Sequence, residues 1–189
     1  MLRTALVCVA VALALPATSH ADGGRYLLVG GTKAERQTVV SALEASSFNW
    51  DLVPGLITIN IVRGAESDAI PGQIVLNADL LDAGTFAWGV VQHEYAHQVD
   101  YFLLDDAQRG RLLRLLGGLD WCNTPGLRHA DYGCERFAST LAWSYWPSPN
   151  NCMRPEPRAA GDDSAALPPR RFRALLGSLL TPRMFRTVR

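Results

Sequence analysis

The sequence is nearly without lysine. Lys33 stands alone among eighteen basic residues, the rest being arginine, a bias that reads as codon usage more than as a binding surface. Neither sign of charge is in excess, because eighteen acidic residues balance the basic ones. Nothing therefore points to nucleic acid or to an acidic membrane surface as a partner. Long hydrophobic runs are also missing. The apolar stretch Leu6 to Leu15 is too short to span a bilayer as a stable anchor. Cysteines number four and none falls in a C-x-x-C spacing, which argues against zinc binding by cysteine. No internal repeat occurs, and 189 residues suffice for one domain with a proper core.

What is present begins with a leader-like start. Arg3, the apolar stretch, Pro16 and then Ser19-His20-Ala21 have the layout of a secretory signal. Cleavage is expected after Ala21, giving a signal peptide over 1–21, a single domain over 22–189 and an extracytoplasmic location. Cys8 leaves with the leader. Of Cys122, Cys134 and Cys152, one disulfide and one free thiol is the simplest arrangement in an oxidising compartment. Cys122–Cys134 is the favoured pair, since it would staple the loop that leads into a later helix.

Periodicity predicts strands over Tyr26 to Val29, Leu56 to Val62 and Gln73 to Asn77. It predicts helices over Ala34 to Ala45 with Thr32 as cap, from a cap at Thr85 to about Phe102, over Asp105 to Leu116 ended by Gly117, over Cys134 to about Tyr145, and from Pro169 to about Leu180. Gly64 to Gly72 reads as a polar loop. The stretch 147–169, rich in Pro, Asn, Asp and Ala, is expected to be extended or mobile. The order suggests a small α+β domain with one short sheet packed against the helix that runs from Thr85 to about Phe102.

The second of those helices carries His93-Glu94-Tyr95-Ala96-His97, an H-E-x-x-H pentapeptide. Residues four apart share a helix face, so His93 and His97 can bind one Zn²⁺, with Glu94 beside the ion as a general base. At this chain's own His and Glu frequencies, roughly 0.3% of shuffled sequences would contain the pattern, so chance is a poor source. Asp100, three after His97, falls on the same face. There it could accept the free ring N–H of a liganding histidine from the second shell. Gly89, four before His93, suggests close approach of another backbone.

Two histidines leave a catalytic zinc one protein ligand short. The metzincin extension fails, because Asp100 and Leu103 stand where glycine and histidine are needed. Glu135 is the leading third ligand: it opens a helix whose Ala138, Leu141 and Ala142 let it lie close to the first. Asp131 and His129 are the alternatives.

His93-Glu94-x-x-His97-x-x-Asp100, followed by Glu135-Arg136-Phe137-Ala138, resembles the gluzincin zinc metallopeptidases. The nearest likeness is to the compact catalytic domains of the lethal-factor-type peptidases, over about Ile74 to Trp146. The resemblance implies a zincin-like domain in which a short sheet packs on the H-E-x-x-H helix and a second helix carries the Glu ligand. It implies His93, His97 and Glu135 as zinc ligands, Glu94 as base and Asp100 as second shell. Tyr132-Gly133 is similar to the family's Tyr-Gly pair, though closer to the Glu, and makes Tyr132 an oxyanion donor, with His129 or Tyr145 as substitutes. The expected function is secreted zinc-dependent hydrolysis of peptide or protein substrates. The strand Gln73 to Asn77 could bind an extended peptide by strand addition. The alternatives are a zinc hydrolase of a non-peptide substrate and a non-catalytic secreted zinc-binding module.

Overall fold

A computed structural model describes residues 18–19, 24–122, 124–155 and 165–180. The expected leader lies outside the described residues, apart from the backbone of Thr18–Ser19, which forms a two-residue strand, β1. The remaining elements are β2 (Tyr26–Gly30), α1 (Lys33–Ala45), β3 (Ile57–Val62), β4 (Asp68–Ile70), β5 (Gln73–Asn77), α2 (Ala78–Leu81), α3 (Trp88–Leu103), α4 (Asp106–Leu116), α5 (Gly133–Tyr145) and α6 (Pro169–Leu180). The protein is a small α+β domain. Its sheet runs in the order β1-β2-β3-β5-β4, with β2, β3 and β5 parallel and the outer strands antiparallel.

Alternation sets the two faces of the sheet. Ile57, Ile59 and Ile61 of β3 and Ile74 and Leu76 of β5 are buried, and the register places Ile59 beside Ile74 and Ile61 beside Leu76. These residues form the floor on which the helices pack. Local chemistry fixes the helix ends. Thr32 and Glu35 make a reciprocal capping box at the start of α1, and Asp105 and Gln108 make another at α4. Gly117 ends α4 in the left-handed conformation, with φ 77°. The expected cap at Thr85 is not made. That residue lies in a 3-10 turn, Gly84–Ala87, and α3 starts at Trp88 with no side-chain cap.

The polar stretch 64–72, expected to be a loop, contains β4. Three residues of mixed polarity give no periodic signal of their own. They are ordered by a side chain from α3. Gln98, fully buried, accepts from Gly72 N at 2.8 Å and donates to Ile70 O at 3.0 Å and Gln73 O at 3.3 Å. Tyr101, one turn on, donates its hydroxyl to Ala69 O at 2.7 Å. β5 therefore has strands on both sides, and strand addition to Gln73–Asn77 is ruled out. At the true edge, β4, two carbonyls already accept from Gln98 and Tyr101.

α3 is sandwiched between the sheet, α1 and α5, so Val91 through Asp100 are all buried. The described parts of 147–169 are irregular but packed. Asn151 is buried and donates to the terminal carbonyls of α5, Ala142 O at 3.1 Å and Trp146 O at 2.9 Å, while its Oδ1 accepts from Met153 N at 2.9 Å. This segment crosses α3 at Gly89, as the mid-helix glycine suggested. A Cβ there would stand 2.5 Å from Asn151 Oδ1 and 2.8 Å from Cys152 Sγ. Gly89→Ala should lower stability by about 1 kcal/mol. Overpacking of about 1–3 kcal/mol outweighs a helix-propensity gain of about 1 kcal/mol. Chemical denaturation would measure it, and a stabilised variant would contradict the close approach.

Candidate metal centre

α5 packs more extensively on α3 than on any other element, because Ala138 and Ala142 present little bulk and Leu141 fills the seam, all three fully buried. The start of α5 is fixed as tightly. A Cβ at Gly133 would fall 2.7 Å from the Trp121 ring and 2.8 Å from Leu113, so only glycine fits where the helix begins. A disulfide joins Cys122 to Cys134, as favoured from the sequence, and Cys152 takes no part in a disulfide among the described residues. Backbone bonds reinforce the staple: Gly133 N donates to Asp120 O at 2.7 Å and Cys134 N to Trp121 O at 2.9 Å. The next residue is Glu135.

This construction brings three ligand atoms together. His93 Nε2 and His97 Nε2 are 3.2 Å apart, and Glu135 Oε2 lies 3.1 Å from the first and 3.3 Å from the second. Ligand atoms about 2.0 Å from a tetrahedral zinc stand about 3.3 Å from one another. The triad is thus spaced as one face of a zinc tetrahedron. His93, His97 and Glu135 form a group that could hold a metal ion, and its two-imidazole, one-carboxylate donor set suits zinc. Their side chains are only 4%, 6% and 14% exposed.

The surroundings orient these ligands. Ser139, one turn beyond Glu135 on α5 and buried, has Oγ 3.1 Å from His93 Nδ1. That contact fixes the ring with Nε2 towards the triad. Tyr101 stacks on His97 at 6.3 Å between centroids. Sequence reasoning passed over Ser139, although it stands four after Glu135, the spacing that puts both on one face. Ser139→Ala should weaken metal binding about tenfold. Competition with a chromophoric chelator measures this, and unchanged affinity would deny the serine its orienting role.

Asp100 is on the expected face but binds other partners. Its Oδ1 accepts from Arg109 Nε at 2.7 Å and its Oδ2 from Trp121 Nε1 at 2.9 Å. No hydrogen bond among the described residues joins it to His93 or His97. Both oxygens are taken by groups that tie α3 to α4 and to the disulfide loop, so its influence on His97 is through charge alone. Asp131, an alternative ligand, is held in a two-pronged pair by Arg128 at 2.8 and 2.9 Å. Tyr132 directs its hydroxyl to Thr124 O at 2.8 Å, and Tyr145 packs edge-on against Phe48. Neither tyrosine lines the cleft. His129 does: it stacks on His93 at 6.2 Å and sets its Nε2 3.0 Å from Glu135 Oε2.

The cleft has a volume of about 340 Å³ and is lined by the triad, Glu94 and His129. Glu94 is 7% exposed, and its carboxylate makes no hydrogen bond among the described residues. Burial raises its pKa, offset only in part by His93 and His97. Burial would raise Glu135 as well, but hydrogen bonds from His129, His93 and His97 hold it well below the usual carboxylate range. Burial lowers His97, yet the hydrogen bond and charge of Glu135 outweigh this and leave it raised.

No family model matches the chain, and no curated protein or solved structure matches it significantly. Among the described residues no helix is long and apolar enough to cross a membrane.

Proposed function

We propose that this protein is a zinc-dependent peptidase of the gluzincin type, acting outside the cytoplasm. One observation carries the reading: three ligand atoms at tetrahedral spacing share a cleft with a buried carboxylate that has no hydrogen-bond partner among the described residues. A structural zinc site has no need of such a base, and its shell is usually closed by four protein ligands rich in cysteine.

His93, His97 and Glu135 would hold the ion. Zinc bound there supplies a Lewis acid that polarises a carbonyl and makes a water acidic near neutral pH. Glu94 removes the proton from the attacking water and delivers it to the leaving amine. Burial, which raises the Glu94 pKa, makes it a stronger base than an ordinary carboxylate. His129, at the rim and on the cleft side, is placed to donate to the oxygen that gains negative charge, the part first assigned to Tyr132. The extended substrate would lie along the cleft and not on the sheet.

The test is cleavage of a proteome-derived peptide library by the mature protein, with and without chelator. Chelator-sensitive peptide cuts support the reading. A protein that carries one zinc per chain and cuts no peptide would refute it in favour of another substrate, and a protein without zinc would refute it altogether.

A further inference from the structure

The two oxygens of Glu135 face different neighbours. Oε2 is turned to the imidazoles, whereas Oε1 lies 3.6 Å from Cys134 Sγ. The sulfurs of Cys122 and Cys134 and a carboxylate oxygen of Glu135 all lie within 4.8 Å of one another. We propose that reduction of the Cys122–Cys134 disulfide creates a second metal site, built from the two thiolates and Glu135 Oε1, so that Glu135 bridges two ions.

The chemistry is a two-electron exchange. A dithiol reductant gives two electrons and two protons to the Cys122–Cys134 bond, which breaks into two thiols, and the reductant closes its own disulfide. Each thiol then releases a proton as it binds the metal. Thiolates are softer and stronger zinc ligands than carboxylate, and two of them with one carboxylate leave one position for solvent. The sequence spacing hides this site, because Cys134 stands twelve positions after Cys122 and no C-x-x-C occurs. Folding closes that gap through the Gly133–Asp120 and Cys134–Trp121 backbone bonds, which hold the two chain segments together without the covalent link. Cys122 is exposed, so a reductant can reach the bond. In an oxidising compartment the disulfide persists and Glu135 serves the imidazoles alone. Under reducing conditions the same carboxylate is shared, which couples metal occupancy to redox state. This inference concerns metal binding and stands apart from whether the imidazole site is catalytic.

Cobalt(II) titration of the full mature chain tests it, in the disulfide form and after reduction with a phosphine, which also breaks the bond by a two-electron step. The disulfide form should bind one ion with no sulfur-to-cobalt charge-transfer band. The reduced form should bind two and show that band. Cys122→Ser with Cys134→Ser should bind one ion under both conditions, while His93→Ala with His97→Ala should keep the sulfur band when reduced. A reduced wild-type protein that binds one ion without the band overturns the proposal. So does one that circular dichroism shows unfolded, since the site depends on the native start of α5.

Discussion

Glu94→Gln should fold, retain its zinc and lose hydrolysis by about 10²–10⁴-fold. The amide has nearly the shape of the carboxylate it replaces, so the cleft wall that Glu94 shares with the histidines is kept. What disappears is the capacity to take a proton. The variant should fold at least as stably as the parent, because the parent's buried carboxylate has no hydrogen-bond partner among the described residues and its ionised form is disfavoured by burial. In the parent, Glu94 must be ionised to act as base. kcat/KM should therefore show an acid limb where Glu94 takes up a proton. That limb should be absent from the residual rate of the variant. Turnover within a few-fold of the parent, with zinc retained, would remove Glu94 from the mechanism.

Much of the site was legible because helical spacing is a strong local constraint. His93, Glu94 and His97 needed only the knowledge that residues four apart share a face. Glu135 followed from the small residues beyond it, which require a close neighbour helix. Thr32, Gly117 and the start of α6 at Pro169 were readable for the same reason: caps and stops act within one turn. What failed depended on groups far away in sequence. Asp100 was placed on the correct face, but spacing says nothing about where a side chain points once Arg109 and Trp121 compete for it. Tyr132 was assigned by resemblance, and its hydroxyl answers to a carbonyl in the disulfide loop. β4 had no pattern because its order comes from Gln98 and Tyr101 on another element. Ser139 was overlooked because a serine inside a helix carries no signal until the ring it meets is known.

Glu135→Ala should reduce zinc affinity by at least about 100-fold and move its pH dependence to lower pH. In the parent, burial lowers His97, and the hydrogen bond and charge of Glu135, followed by the charges of Glu94 and Asp100, raise it above 6.5. Zinc competes with a proton for that imidazole, so affinity in the parent should climb until the pH passes the raised His97 value. With Glu135 gone, burial acts unopposed by its hydrogen bond and charge, and His97 loses its proton at lower pH. The variant's affinity should thus level off earlier while staying far weaker. Stability of the chelated protein gives an independent reading of the same pair. His97, raised by folding, stabilises below its unfolded value of 6.5 and loses this as pH rises through its folded value. Glu135, depressed by folding, stabilises above its unfolded value of 4.5 and loses this as pH falls through its folded value. Both contributions are in force between 4.5 and 6.5, so the chelated parent should be most stable in that window and the chelated variant should show no such maximum. Zinc titrations and denaturation midpoints across pH 4 to 9 would measure both. A Glu135→Ala protein that binds zinc normally would move the third ligand to another group, with His129 the nearest imidazole on the cleft.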